Sequence, residues 1–235
     1  IIFFDEPTTG LDPIMMEFVD DMIATIKERF GLTSVVISHD MASTFRLADS
    51  IAVLHGGKII LHDSVEVVRE SEDERVRQLI FASDKTDIDV GDDAGATGSK
   101  VEIPEENAAV IVRDLYKSFD GRGVLKGVDL TAPKRKITVL IGGSGSGKSV
   151  LMKHILGLFR PDKGRVDVLG RDVTGLNEAG LSELRTQIGM LFQHAALFDS
   201  MSIEDNIAFP LLERRKSVSY KEAMERTEQV IEKLK

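Results

Sequence analysis

Apolar and polar positions along the chain switch between two periods, and the switches outline an α/β protein. Residues 1–4 (IIFF) are an unbroken apolar run ending at Asp5 and Glu6, as in a buried strand whose C-terminal end reaches solvent. Asp12 then precedes Pro13, an N-cap followed by a first-turn proline. Met15, Phe18, Val19, Met22, Ile23, Ile26 and Phe30 recur at three- and four-residue spacing until Gly31, which predicts a helix whose apolar stripe is core. Residues 33–37 (TSVVI) read as a second buried strand, with Ser38, His39 and Asp40 at its end. A short helix at 42–48 follows, and then a hairpin, SIAVLHGGKIIL, turning at Gly56 and Gly57. His55 and His62 flank that hairpin and read as solvated residues, with no second ligand type patterned beside them. A helix through 75–81 closes this half.

Residues 83–100 (SDKTDIDVGDDAGATGSK) break all periodicity and read as a linker. Their acids do not fit a calcium loop, because the glycine and the twelfth-position Glu are out of place. The pattern restarts at Ala109 with AVIVRDLYKSF and VLKGVDLTA, two alternating segments expected to pair as an antiparallel layer. Residues 137–141 (ITVLI) are a short apolar run of the buried parallel type, and 150–159 (VLMKHILGLF) have helical spacing. GRVDVLG at 164–170 reads as a hairpin, IGMLFQ as a strand ending at Gln193, and the rest from Ile203 as increasingly polar helix.

The loop between that strand and helix, GGSGSGKS, fits the pattern Gly, four residues, Gly, Lys, then Ser or Thr. Its glycines let backbone N–H groups and the next helix N-terminus point at anionic oxygens. Gly142, Gly143, Ser144, Gly145, Ser146, Gly147, Lys148, Ser149 and Val150 are thus the candidate phosphate-binding residues, with Lys148 for the β- and γ-phosphates and the Ser149 hydroxyl for Mg²⁺. Asp5 suits a metal role at the end of a buried strand, and Glu6 is one residue further on, where a carboxylate polarises an attacking water. The expected fold is an α/β P-loop NTPase with a mostly parallel core sheet flanked by helices, an antiparallel β-layer and a truncated helical subdomain. It divides into a half at 1–82, the linker at 83–100, and a half at 101–235. Each half alone leaves an apolar sheet edge open, so residues 1–4 are expected to lie parallel to 137–141 in one sheet.

Composition narrows the setting. The chain has 235 residues, 42% hydrophobic, enough for one large domain or two small ones. A formal net charge of −9 argues against a nucleic-acid footprint. No cysteine is present, so disulfides and thiolate metal sites are excluded, in keeping with a reducing cytoplasm. No run approaches 18 apolar residues, and any membrane role is expected to be peripheral. The chain begins in an apolar run without Met and stops within the helical pattern MERTEQVIEKLK, as an excerpt or a rearranged chain would.

FDEPTTGLDP, a helix and VVISHD, together with GGSGSGKS and the LFQ at 191–193, resemble the nucleotide-binding domain of an ATP-binding cassette (ABC) transporter. The resemblance covers nearly the whole chain outside the linker. It implies Mg²⁺ and ATP as ligands, Asp5 as the Walker B acid, Glu6 as the catalytic carboxylate and Thr9 to Asp12 as the D-loop. It further implies His39 as the switch histidine, Gln193 as the Q-loop glutamine beside the metal, and Phe119 as the aromatic that stacks on adenine. Gly143 departs from the usual Pro of such loops. KSVLMKHILGL, MLFQHAALFDSMSIEDNIAFPL and DERVRQLI are similar to ATPases of phospholipid-trafficking importers related to toluene-tolerance proteins. The implied setting is cytoplasmic, peripheral on the inner face of the membrane, with a membrane-spanning subunit and a second ATPase subunit bound head to tail. In the family the P-loop half comes first, so the order here is that of a circular permutant or of an excerpt from tandem cassettes. No LSGGQ-like stretch occurs. Two alternatives therefore stand beside a transport ATPase: a nucleotide-binding module without turnover, and a non-transport ABC ATPase, which the acidic balance disfavours.

Overall fold

The computed structural model describes residues 1–81, 103–193, 197–214 and 218–234, so the linker expected at 83–100 lies outside the described residues. The first half supplies β1 (Ile2–Asp5), α1 (Pro13–Phe30), β2 (Ser34–Ile37), α2 (Met41–Leu47), β3 (Ser50–His55), β4 (Lys58–Asp63), α3 (Val65–Arg69) and α4 (Glu74–Phe81). The second supplies β5 (Ala108–Phe119), β6 (Arg122–Pro133), β7 (Ile137–Ile141), α5 (Lys148–Ile155), β8 (Lys163–Val168), β9 (Arg171–Asp172), α6 (Glu178–Arg185), β10 (Gly189–Leu191), α7 (Ile203–Arg214) and α8 (Tyr220–Leu234). They form two units, Ile1–Gln193 and His194–Lys235.

In the larger unit one sheet has the order β10-β1-β2-β7-β3-β4, parallel throughout except for β4. β7 lies between β2 and β3, so β1 runs parallel to β7 with one strand between them. All five β7 residues are buried, which explains why its sequence is an unbroken apolar run: both faces are covered. A second sheet, β6-β5-β8-β9, is antiparallel. One face of the main sheet packs Phe3, Ile37, Leu54 and Leu140 with Val112, Leu115 and Leu130 of the second sheet and Leu151 and Ile155 of α5. The other face packs Phe4, Val36, Val53 and Val139 with Ile23, Val68, Val76 and Ile80 of the helices. Each core draws on both halves of the sequence.

A half-buried carboxylate fastens the halves at one strand junction. Asp49, just before β3, accepts from the Ile137 N–H at 2.7 Å and from Lys136 Nζ at 3.1 Å, and Lys27 Nζ of α1 lies 3.1 Å away. Burial opposes its ionisation, but the Ile137 N–H and the two ammonium groups outweigh this and hold the carboxyl below its usual range. A depressed folded-state pKa gives stability that is present above the unfolded value and lost as pH falls through the folded one. Asp49→Asn is therefore expected to cost about 1.5 to 3 kcal/mol at neutral pH. Its cost in urea unfolding should shrink once the pH drops below the ordinary carboxylate range; a cost independent of pH would refute the charged tie.

Two sequence expectations are corrected. The α1 stripe is largely not core: Ile23 is 1% exposed, but Phe18 is 60% exposed and Met15, Met22 and Phe30 are exposed too. A polar residue takes an inner position instead, since buried Asp20 accepts from Ser43 Oγ of α2 at 2.6 Å and faces Arg46. The periodicity reports an amphipathic helix, and tertiary packing decides how much of the stripe is covered. His62 is likewise buried rather than solvated, its Nε2 3.4 Å from Ser50 Oγ and its pKa lowered by burial.

In the smaller unit α7 and α8 pack through buried Ala208 and Ala223, and the Tyr220 hydroxyl donates to Asp205 at 2.9 Å. Asn206 Nδ2 donates to the carbonyls of Phe198 and Ser202, and so closes the turn before α7. Among the described residues no helix is long and apolar enough to cross a membrane.

Candidate nucleotide site

The loop between β7 and α5 is shaped by what its glycines permit. A Cβ on Gly142 would stand 2.3 Å from the Leu54 carbonyl oxygen of β3, and one on Gly147 would stand 2.9 Å from Leu125 of β6. Gly147 also holds φ at 107°, a backbone region that side chains disfavour, and it starts α5 without a side-chain cap. The first-turn N–H groups thus face the loop with no side-chain oxygen competing for them. Ser146 Oγ is buried with no hydrogen-bond partner among the described residues, and Ser149 is exposed. Lys148 is buried and curls back, its Nζ donating to the carbonyls of Gly142 at 2.6 Å and Gly143 at 3.0 Å. Desolvation lowers its pKa, against the opposing pull of Glu6 and Asp5.

The carboxylate pair at the end of β1 faces this loop. Burial raises the Asp5 pKa, Glu6 adds to that, and Lys148 and Lys153 counter it. Glu6 sits at φ 51°, a strained conformation for a non-glycine residue, and its N–H donates to the Ile37 carbonyl at 2.9 Å. Its Oε2 is a meeting point: Thr9 Oγ1 donates to it at 3.1 Å, Gln193 Nε2 donates at 3.1 Å, and His39 Nδ1 lies 3.4 Å away. Those partners come from the loop after β1, the segment after β10 and the end of β2. The sheet order explains this, because β10, β1 and β2 are adjacent and parallel and deliver their C-terminal ends to one place.

A cleft of about 500 Å³ is lined by Glu6, His39, Gly142, Val124 and the stretch from Ser144 to Val150. The structure therefore brings most of the sequence-predicted residues to one opening, with Gln193 joined through Glu6 and Asp5 through the field of Lys148. Gly143 contributes a carbonyl to Lys148 but does not line the cleft, and a Cβ there would meet nothing within 4 Å. Phe119 lies outside the lining too; it is 39% exposed, with the Phe159 ring 5.6 Å away at 62°. Val124 and Phe159 were not singled out by sequence reasoning. Neither position carries a local signal: one is a strand valine among several, the other the last apolar residue of a helical run.

Residues 125–235 match the family model described as ABC transporter. The probable ribonucleotide transport ATP-binding protein mkl of Mycobacterium bovis is 44% identical over 108 residues, 46% of this chain and 30% of that protein. The methionine import ATP-binding protein MetN of Rhizobium etli is 37% identical over 131 residues, 55% of this chain and 36% of that protein. Protein TRIGALACTOSYLDIACYLGLYCEROL 3, chloroplastic, of Arabidopsis thaliana is 40% identical over 137 residues, 57% of this chain and 39% of that protein. The chain thus spans about a third of the length of these relatives. The matched stretch contains the loop that shapes the cleft, and strands outside it complete the same sheet and bring the carboxylates to that loop; over residues 125–235 this α/β P-loop domain is similar to the ABC transporter family.

Proposed function

We propose that the chain binds Mg-ATP as the ATP-binding part of an ABC importer, and that hydrolysis in the complete assembly drives movement of phospholipid. The observation that carries the nucleotide reading is the convergence of Thr9, His39 and Gln193 on Glu6 Oε2, opposite a glycine-lysine loop. The residues fit the ligand: Ser146 Oγ is a buried hydroxyl lacking a partner among the described residues, and the glycines leave space where side chains would intrude. The loop amides and Lys148 bind phosphate oxygens, and Phe119 takes the base. Ser149, Asp5 and Gln193 are the Mg²⁺ residues, and the cation supplies charge neutralisation between phosphates. Among the described residues no cluster of three His, Cys, Asp or Glu is able to hold a metal unaided, which suits a cation shared with phosphate. Glu6 orients the attacking water, and His39 and Gln193 hold its carboxylate in place.

The lipid reading is supported by the importer-like residues around Gln193 and by a relative that carries a glycerolipid in its name; two others carry ribonucleotide and methionine in theirs. A second ATPase subunit and a membrane-spanning subunit complete the assembly at the inner membrane face. A module that binds without turnover is the second reading, favoured by the missing LSGGQ-like stretch. The purified chain with Mg-ATP is expected to bind saturably and release phosphate slowly, and Glu6→Gln should change that slow rate little. Absence of saturable binding refutes the nucleotide reading, whereas fast turnover abolished by Glu6→Gln shows that no partner segment is needed. With cognate membrane subunits in vesicles, stimulation by methionine or a ribonucleotide in place of phospholipid would replace the lipid reading.

A further inference from the structure

Phe119 ends β5, a place where a strand normally frays, yet four hydrogen bonds made by the three residues before it hold the strand end to the segment after α5. Asp162 Oδ2 accepts from the Ser118 N–H at 2.6 Å, and Asp162 Oδ1 accepts from Lys117 Nζ at 2.8 Å. The Asp162 N–H donates to the Tyr116 carbonyl at 2.9 Å, and Lys117 Nζ also donates to the Arg160 carbonyl. The Asp162 carboxyl is held below its usual range, first by Lys117 and then by the Ser118 N–H. These bonds clamp the strand end to the 158–162 segment, and Phe159 projects from that segment against Phe119.

The ring contacts continue behind it. Phe119 and Phe159 meet at 5.6 Å and 62°, and the His154 ring meets Phe159 at 5.8 Å and 74°. His154 is 1% exposed on α5, where its Nδ1 donates to the Val150 carbonyl at 2.7 Å. Phe159 is thus backed by a fixed ring on the helix that begins at Lys148. Ring pairs in this tilted, edge-directed range attract because a positive edge meets a negative face. An aromatic at an exposed strand end has two rotatable side-chain bonds, and each contact that fixes its ring lowers the entropy lost when a flat partner stacks on it.

We propose that Phe159 is a positioning residue: backed by His154, it fixes the Phe119 ring as the stacking surface for the base, and so sets how much the base adds to nucleotide affinity. The proposal rests on the reading of Phe119 as the base contact. It separates the two parts of the ligand, because Phe159 acts on the base, whereas the loop and Lys148 act on the phosphates.

The test is calorimetric titration of the full chain with Mg-ATP and, separately, with Mg-tripolyphosphate, which has the phosphates without the base. Phe159→Ala is expected to weaken ATP binding about three- to tenfold, the scale of one aromatic pair, and to leave tripolyphosphate unchanged. Phe159→Tyr keeps the ring and should restore ATP affinity. Combined with Phe119→Ala, Phe159→Ala should have no further effect. An unchanged ratio of ATP to tripolyphosphate affinity in Phe159→Ala, or an equal loss for both ligands, overturns the proposal. If Phe119→Ala also leaves that ratio unchanged, the base reading itself fails; if Phe119→Ala lowers it while Phe159→Ala does not, only the positioning role fails.

Discussion

Lys148→Ala is expected to weaken Mg-ATP binding by about 1.5 to 3 kcal/mol, roughly ten- to 150-fold, the loss typical of a charged hydrogen bond. The side chain is buried against its own loop, so its ammonium is already stripped of much of its water. It donates to the Gly142 and Gly143 carbonyls, and exchanging these for phosphate oxygens trades neutral acceptors for charged ones. Removal of the cation also leaves Asp5 and Glu6 facing the bound phosphates without the positive charge that both now feel. Equal affinity of both proteins by calorimetry would refute the phosphate role of Lys148. The far-ultraviolet circular dichroism of the variant separates a lost contact from a lost fold.

Gly142→Ala is expected to destabilise the whole domain, lowering the urea midpoint by an amount equivalent to about 1 to 3 kcal/mol, the range of overpacking in a filled core. The added methyl would stand 2.3 Å from the Leu54 carbonyl oxygen and 2.8 Å from Ser146 Oγ. The first obstacle is backbone of β3, which is paired to β7, so relief requires parting the two strands at the mouth of the site. Gly143→Ala one residue on is the control, because nothing lies within 4 Å of its added methyl. It should be neutral or slightly stabilising, by up to about 1 kcal/mol, since it restricts the unfolded chain. Equal costs for the two variants would show that the close approach to Leu54 does not govern this loop.

Features of this fold are legible in the sequence according to the range of the forces that create them. The glycine-rich turn between β7 and α5, the Asp12 cap and the Gly31 stop were legible because each depends on residues within one turn of one another: Asp12 Oδ1 accepts from the Ile14 and Met15 N–H groups, and Gly31 adopts φ 59°. The carboxylates Asp5 and Glu6 were legible as the end of an apolar run. What the pattern could not supply was lateral order. Nothing local shows that β7 enters between β2 and β3, or that Gln193 and Glu6, 187 positions apart in sequence, share a hydrogen bond. The same gap accounts for the α1 stripe and for His62, because exposure depends on which distant element arrives as a cover. Phe159 escaped notice for the complementary reason: it gains its place from Asp162 and Phe119, neither of which marks it in sequence.

The lateral order of the sheet also governs the sequence of events in folding. Ser34 and Ile137 are register partners about a hundred residues apart, so the hydrogen bonds that join β2 to β7 close a very long loop. During synthesis β1 to β4 emerge before β7, and the gap between β2 and β3 stays open until β7 has been made. Until then the apolar residues Val35, Val36 and Ile37 on one side, and Ile51 and Val53 on the other, lack the strand that unites them. Such edges recruit strands from other chains when nascent proteins are crowded. Insertion of β7 unites the two groups of strands and brings the loop that follows it alongside the carboxylates at the end of β1, so the same pairing that closes the sheet places the two sides of the cleft together.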